Sequence, residues 1–193
     1  ASGFNESMQT AIFRAQNDEG GTDTNLLYNP AGDQTNGTGK QELCENGVGN
    51  GNDESISGNL WIFNPSDTTF QTNFMAVNNM YQKDDYSNNN FISGYFNLTG
   101  AIDEIIFDFS SGNIQSGYNI PISGGGGEVL LQTQTASSDS TITFNSNIDS
   151  TYKKYIFKFY NIHPSANNAR LEVKASSNTG SSYGVTTTSS YFQ

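Results

Sequence analysis

Several short runs of the chain alternate between apolar and polar positions with a period of two. In Tyr155-Ile156-Phe157-Lys158-Phe159-Tyr160 the odd positions are all aromatic and Lys158 points the other way, because successive side chains of an extended chain take opposite faces. Arg170 to Ala175 repeats the pattern, with Leu171, Val173 and Ala175 on one side and three charged residues on the other. In Ile105-Ile106-Phe107-Asp108-Phe109 the inward set is Ile105, Phe107 and Phe109. Leu60 to Phe63 is apolar at every position, the pattern of a strand covered on both faces. Thr68 to Val77 and Phe91 to Phe96 read as further strands; Glu128 to Thr135, Ser140 to Phe144 and Val185 to Tyr191 carry weaker versions. Helical periodicity is confined to Glu6 to Gln16, where Met8, Ile12 and Phe13 would share a face behind an Asn5 cap. Thr10, Ile12 and Phe13 fit a strand equally well.

Turn-forming residues separate these runs: Asn64-Pro65-Ser66-Asp67, Ser111-Gly112-Asn113, Ser116-Gly117, His163-Pro164-Ser165 and Asn178-Thr179-Gly180. About nine short strands so punctuated predict an all-β fold, a jelly roll or β-sandwich. The expected organisation is a single domain over 1–193 with long polar loops. Two stretches, Asp18 to Gln41 and Glu45 to Ser57, interrupt the alternation, and polar connections of that length are usually functional or mobile. Segment 121–127 ends in the glycine run Gly124 to Gly127 and is expected to be a seam or linker.

Composition adds two constraints. Apolar residues make up only 34% of the 193, yet thirteen are Phe and ten are Tyr; a few large rings can bury as much area as many aliphatic residues. Eight Lys plus Arg stand against nineteen Asp plus Glu, a formal net charge of -11. That field repels phosphate backbones and anionic headgroups, so neither nucleic acid nor a membrane surface is an expected partner. No apolar run reaches the roughly 20 residues of a spanning helix, so membrane insertion is not expected either. Ala1 to Thr10 lack the basic-then-apolar pattern of a signal peptide, so either a leader has been removed or secretion is not the route by which the chain leaves its cell. The single cysteine, Cys44, can form no intrachain disulfide. Glu42 and Glu45 beside it would raise its thiol pKa, which makes it passive.

Candidate chemistry is sparse. His163, the only histidine, precedes Pro164 and reads as part of a turn; no nucleophile elbow accompanies it. Asp103, Glu104 and Asp108 are the densest carboxylates near a strand. Glu104 and Asp108 would share a face, as an acid/base pair for glycoside cleavage must, but alternation already accounts for them as solvated outer-face charges. Asp18, Glu19 and Asp23, then Asp53 and Glu54, then Asp84 and Asp85 lie in Asn/Gly-rich loops whose oxygens suit calcium. No EF-hand spacing is present. No cofactor is expected, calcium being the one candidate, and no catalytic residue is assigned. Trp61, Tyr81 and Tyr86 could stack on sugar rings, although a Trp in a strand is more often core. Asn5-Glu6-Ser7, Asn36-Gly37-Thr38 and Asn97-Leu98-Thr99 match the glycosylation sequon, which an Asn-rich chain matches by chance.

Leu60 to Phe70, which includes Phe63-Asn64-Pro65-Ser66-Asp67-Thr68-Thr69, resembles the FNPSSTT segment of virion structural or tail-fibre-type proteins of marine bacteriophages, cyanophages among them. Gly94 to Ile102 and Phe107 to Gly117 resemble the closing segment of the same proteins, with its SSGNIxSG motif; Tyr155 to Pro164 and Gly180 to Thr186 resemble their earlier portion. The order here is rotated relative to that family, so that joining Gln193 to Ala1 would restore it. A tandem array, a circular permutation or an arbitrary cut would each produce the rotation; the first and the last imply a repeating, fibre-like assembly. None of these motifs is catalytic.

The resemblance implies a non-catalytic, structural or receptor-facing building block of a virion or fibre, virion-borne or extracellular. Its partners would be other copies of itself, other virion proteins or a host surface glycan. The alternative is a carbohydrate-binding module or adhesin, and a glycan-cleaving enzyme would rest on the loose carboxylates alone.

Overall fold

The computed structural model describes residues 7–116, 119–124, 128–177 and 187–188. Its strands are β1 (Met8–Asp18), β2 (Thr24–Tyr28), β3 (Thr35–Asn36), β4 (Gln41–Glu42), β5 (Ile56–Phe63), β6 (Asn73–Tyr81) and β7 (Tyr86–Phe96). They continue with β8 (Glu104–Phe109), β9 (Asn119–Gly124), β10 (Val129–Thr135), β11 (Thr141–Phe144), β12 (Lys154–Ile162), β13 (Leu171–Ser176) and β14 (Thr187–Thr188). The only helical element among the described residues is a 3-10 turn at Pro30–Gly32, capped by the Asn29 side chain.

Two antiparallel sheets pack as a sandwich. The large one runs β10-β9-β12-β5-β6-β7-β1-β3-β14, with β2 also paired to β1; the small one runs β11-β8-β13-β4. The alternation predicted for β8, β12 and β13 is observed: Ile105, Phe107, Phe109, Tyr155, Phe157, Phe159, Leu171, Val173 and Ala175 are all buried. Phe107 of the small sheet meets Phe157 and Phe159 of the large one at ring-centroid distances of 5.6 and 6.4 Å. Phe144 stands edge-on to both Phe107 and Phe157. Around this cluster pack Leu60, Ile62, Ile120, Ile122 and Ile142.

The interior beneath β1, β6 and β7 is mixed: beside buried Met8, Ile12, Phe74, Ile92 and Phe96 it holds a row of polar residues. Register aligns Arg14, Asn90, Asn78 and Gly58 in one inward row. A Cβ at Gly58 would lie 2.5 Å from the Val77 carbonyl oxygen and 2.4 Å from the Asn78 Cβ, so only glycine lets Asn78 fit there. The amide of Asn90 donates to Asn78 Oδ1 at 2.9 Å, Asn78 donates to the Leu43 carbonyl, and Asn90 Oδ1 accepts from the Glu45 backbone. Glu45 also pairs with Arg14, and both are buried. Residues 43–48 therefore bridge the sheets, since Leu43 N–H donates to the Leu171 carbonyl and Val48 bridges to both Gln82 and Ala169.

Several expectations need correction. Glu6 to Gln16 is not helical over its described part: Met8–Asp18 is a strand, held by an eleven-residue register to β7. Leu60 to Phe63 is covered on one face only, with Phe63 exposed and Trp61 half-buried. Thr68 to Thr72 belongs to a turn, and the strand begins at Asn73. Within segment 121–127, Pro121 to Gly124 is not a linker but part of β9, paired with β10 and β12, while 125–127 lie outside the described residues. Asp18 to Gln41 is less loop-like than its composition suggests, since it contains β2 and β3. The Asn5 cap and sequon, the Asn178-Thr179-Gly180 turn and the Gly180 to Thr186 motif lie outside the described residues, as do all but Thr187 and Thr188 of the Val185 to Tyr191 strand.

Truncating the ring that meets both sheets should cost more than truncating an outward one. Phe107→Ala is expected to lower unfolding free energy by about 3–5 kcal/mol, against less than about 1.5 kcal/mol for Phe63→Ala, as read by urea denaturation.

Candidate functional site

The outer face of the large sheet is the most extended candidate surface. Register sets Phe13, Phe91, Val77, Asn59 and Lys158 in one outward row. The next row of the same parity is Ala11, Ser93, Met75, Trp61, Ile156, Ser123 and Leu130, of which Ala11, Ile156 and Ser123 are buried. Phe13 and Phe91 stack with centroids 4.9 Å apart. Leu26 on β2 is 74% exposed, and with Phe13, Leu27 and Tyr28 it lines an open groove of about 360 Å³. The outward positions of β1, β5, β6, β7 and β12 hold no Asp or Glu; their only charges are Lys154 and Lys158. On a chain of net charge -11 the carboxylates nearest these positions stand at the margins, Glu128 paired with Lys158 and Glu19 and Asp85 beside the Tyr81 hydroxyl.

The proposed sugar-stacking residues do not form one platform. Trp61 lies on this face, but Tyr81 is displaced by six residues along the sheet from Met75, the register partner of Trp61, about 20 Å at the usual strand rise. The Tyr81 hydroxyl donates to Glu19 and Asp85 at 2.8 and 3.0 Å. Tyr86 shares the inward parity and donates to Asp23 at 3.0 Å.

The second feature is a charged cluster on the outer face of the small sheet. Asp108 and Glu172 are directly opposed across β8 and β13, and Glu42 opposes Glu172 across β4. Lys40 pairs with Asp108 and lies 3.5 Å from Glu172; Arg170 reaches Glu42 at 3.3 Å. Glu104 and Asp108 were expected to be solvated, yet each is only 5% exposed. Burial holds both carboxyls above the usual range, Lys40 pulling Asp108 back in part. Four residues along one strand place Glu104 and Asp108 about 13 Å apart, too far for the paired carboxyls of a glycosidase. Lys40 and Glu172, the true neighbours of Asp108, carry no local signal in the sequence, because strand register alone brings them together.

The loop carboxylates largely close their own loops. Asp18 accepts from Thr22 and Asp23, and Glu54 folds back onto the Gly51 N–H. Among the described residues no three His, Cys, Asp or Glu side chains gather to hold a metal ion. His163 is buried and its Nδ1–H donates to the Glu54 carbonyl, tying the end of β12 to the 49–55 loop. Cys44 is buried; desolvation, with a smaller contribution from Glu42, pushes its thiol up to about 12. In the Asn36 and Asn97 sequons, Asn97 Nδ2 donates to Asn36 Oδ1 at 3.1 Å.

The motifs behind the phage resemblance build turns. Asn64 takes the left-handed conformation at φ 52°, and Asp67 Oδ1 accepts from the N–H groups of Thr69 and Phe70. Gly112 also has positive φ, at 73°. Two motif segments distant in sequence meet here: Ile114 bridges to Pro164, Gln115 N–H donates to the His163 carbonyl, and Asn113 N–H donates to the Ser165 hydroxyl.

Burial gives the small-sheet cluster a pH signature. It pushes the Glu42 carboxyl up to about 7, against Arg170 and reinforced by Glu172 and Glu45. A carboxyl whose folded pKa exceeds its unfolded value binds its proton more tightly in the native state, so its stabilising contribution is full below the unfolded value and is lost as pH rises through about 7. Glu45, Glu104, Asp108 and Glu172 shift in the same direction, each chiefly by burial. Asp18 and Asp67, partly open to solvent, shift the other way because backbone N–H groups donate to them, and solvent screens the effect. Urea midpoints are therefore expected to be higher near pH 5 than near pH 8, and Glu42→Gln should shrink the difference by about 1–3 kcal/mol. Comparison of the chain with protein-family models, curated proteins and solved structures gives no match.

Proposed function

We propose that the protein is a non-catalytic structural component of a phage virion or fibre-like assembly, acting through contact with copies of itself or with other virion proteins. The observation that carries this reading is the partly apolar outer face of the large sheet, with no carboxylate at the outward positions of its five central strands, on a strongly acidic chain. Like-charged molecules repel most where their carboxylates face each other, and an apolar patch open to solvent marks an interaction surface. The motif resemblance supports the same assignment, since its residues are spent on turns and on packing segments together. Location on a virion or outside the cell belongs to this proposal. Among the described residues no helix is long and apolar enough to cross a membrane.

A second reading, a carbohydrate-binding module or adhesin, draws on the same face. Trp61 there has the outward amides of Asn59 and Asn73 one row away on either side, and a ring face beside amide donors and acceptors suits pyranoses.

Sedimentation velocity and negative-stain electron microscopy over a concentration series separate the two. Self-association that Phe13→Asp and Leu26→Asp abolish, with an unchanged β-type circular dichroism spectrum, is the expected result. A monomer at every concentration, together with glycan-array binding lost on Trp61→Ala, would replace the first reading with the second.

A further inference from the structure

Lys40 immediately precedes β4, whose Gln41 and Glu42 pair with Val173 and Glu172 of β13. On its other side β13 pairs with β8 so that Glu172 faces Asp108. The register thereby sets one amine over two adjacent carboxyls: Lys40 Nζ contacts Asp108 Oδ2 and lies 3.5 Å from Glu172 Oε2. The carboxyls are shielded, with side-chain exposures of 8% for Asp108 and 15% for Glu172, against 36% for Lys40. Among the described residues the other lysine pairs, Lys83 with Asp84 and Lys158 with Glu128, each engage one carboxylate, and that one is exposed. Asp108 Oδ1 is buried without a hydrogen-bond partner, a costly position for half of an ionised carboxylate and a milder one for an uncharged carbonyl.

We propose that Lys40 and Asp108 become joined by an intramolecular isopeptide bond, with Glu172 as the proton-transfer residue. Glu172 takes a proton from the Lys40 ammonium, and the freed Nζ attacks Asp108 Cγ. The Nζ–Cγ bond forms, the Cγ–Oδ2 bond breaks, and Oδ2 leaves as water carrying protons returned through Glu172. One ammonium and one carboxylate are consumed, one neutral amide and one water are produced, and no oxidant or other co-reactant is needed. Holding amine and carboxyl in contact replaces a bimolecular encounter with a unimolecular step. Burial raises the proton affinity of both carboxyls, so that Glu172 is a stronger base toward the Lys40 ammonium and Asp108 is more readily protonated for attack at Cγ. For Lys40 burial favours the neutral amine, but Asp108 and Glu172 outweigh it and keep the amine protonated, so its proton must be removed within the cluster. Lys174, Arg170 and Glu42 complete the charged surroundings.

The link would tie β4, a two-residue edge strand, across β13 to β8 and close a covalent loop spanning 68 positions. Such closure restricts the unfolded chain as a disulfide does, in a protein whose one cysteine excludes a disulfide within the chain. This inference does not depend on the assembly reading above.

Intact-protein mass spectrometry of the purified full chain tests it. The expected mass is one water below that of the sequence, with proteolysis giving a branched peptide that joins Lys40 to Asp108. Lys40→Arg and Asp108→Ala should each restore the full mass, and Glu172→Gln should do so while leaving both reacting residues in place. An unmodified wild-type mass after prolonged incubation would overturn the proposal, as would a water loss that survives Lys40→Arg. Retention of the bond in Glu172→Gln would remove Glu172 from its assigned role.

Discussion

The contact of aromatic rings between the two layers is the interaction on which the rest of the fold depends. Phe107 and Phe144 from the small sheet meet Phe157 and Phe159 from the large one. A chain with 34% apolar residues cannot fill a sandwich with aliphatic side chains alone. Concentrating burial in a few large rings solves this at one end of the interior, because each ring removes far more apolar area from water than an aliphatic residue. Once the rings are docked, β8, β12 and β13 have their registers, and every outward side chain on them has its position.

Asparagine has three roles that its average polarity conceals. Asn36, Asn46, Asn64, Asn147, Asn161 and Asn168 adopt positive φ, the left-handed region in which Asn is more at ease than most side chains. Asn78 and Asn90 are buried and bond to each other and to the 43–45 backbone. Asn59, Asn73, Asn79 and Asn89 stand outward on the large sheet. Buried amides need partners to offset desolvation, and here the chain segment between β4 and β5 supplies them. The buried polar row is thus a hydrogen-bonded counterpart to the aromatic cluster.

Charge is divided between the two outer faces. The small sheet holds Lys40, Glu42, Asp108, Arg170 and Glu172 in one network, whereas the large sheet presents rings, amides and two lysines. An extended face with few charges suits association with a like-charged neighbour, and the compact charged cluster suits local chemistry or local reinforcement. The two features occupy separate surfaces, so each can act without perturbing the other.

Wherever one face of a strand is apolar and the other polar, the order of residues was enough to assign the structure, because a period of two is a property of the extended chain itself. Strands β8, β12 and β13 were legible for that reason, and the left-handed Asn64 and Gly112 turns were legible from their residue types. Met8 to Asp18 was not, since its apolar spacing fits a helix as well as a strand, and pairing with β7 settled it. Nor could local pattern reveal that Glu104 and Asp108 are shielded, that Trp61 lies on an uncovered face, or that Lys40 reaches two carboxylates. Those outcomes follow from which strands become neighbours and in what register, and long-range packing of rings and buried amides sets that register.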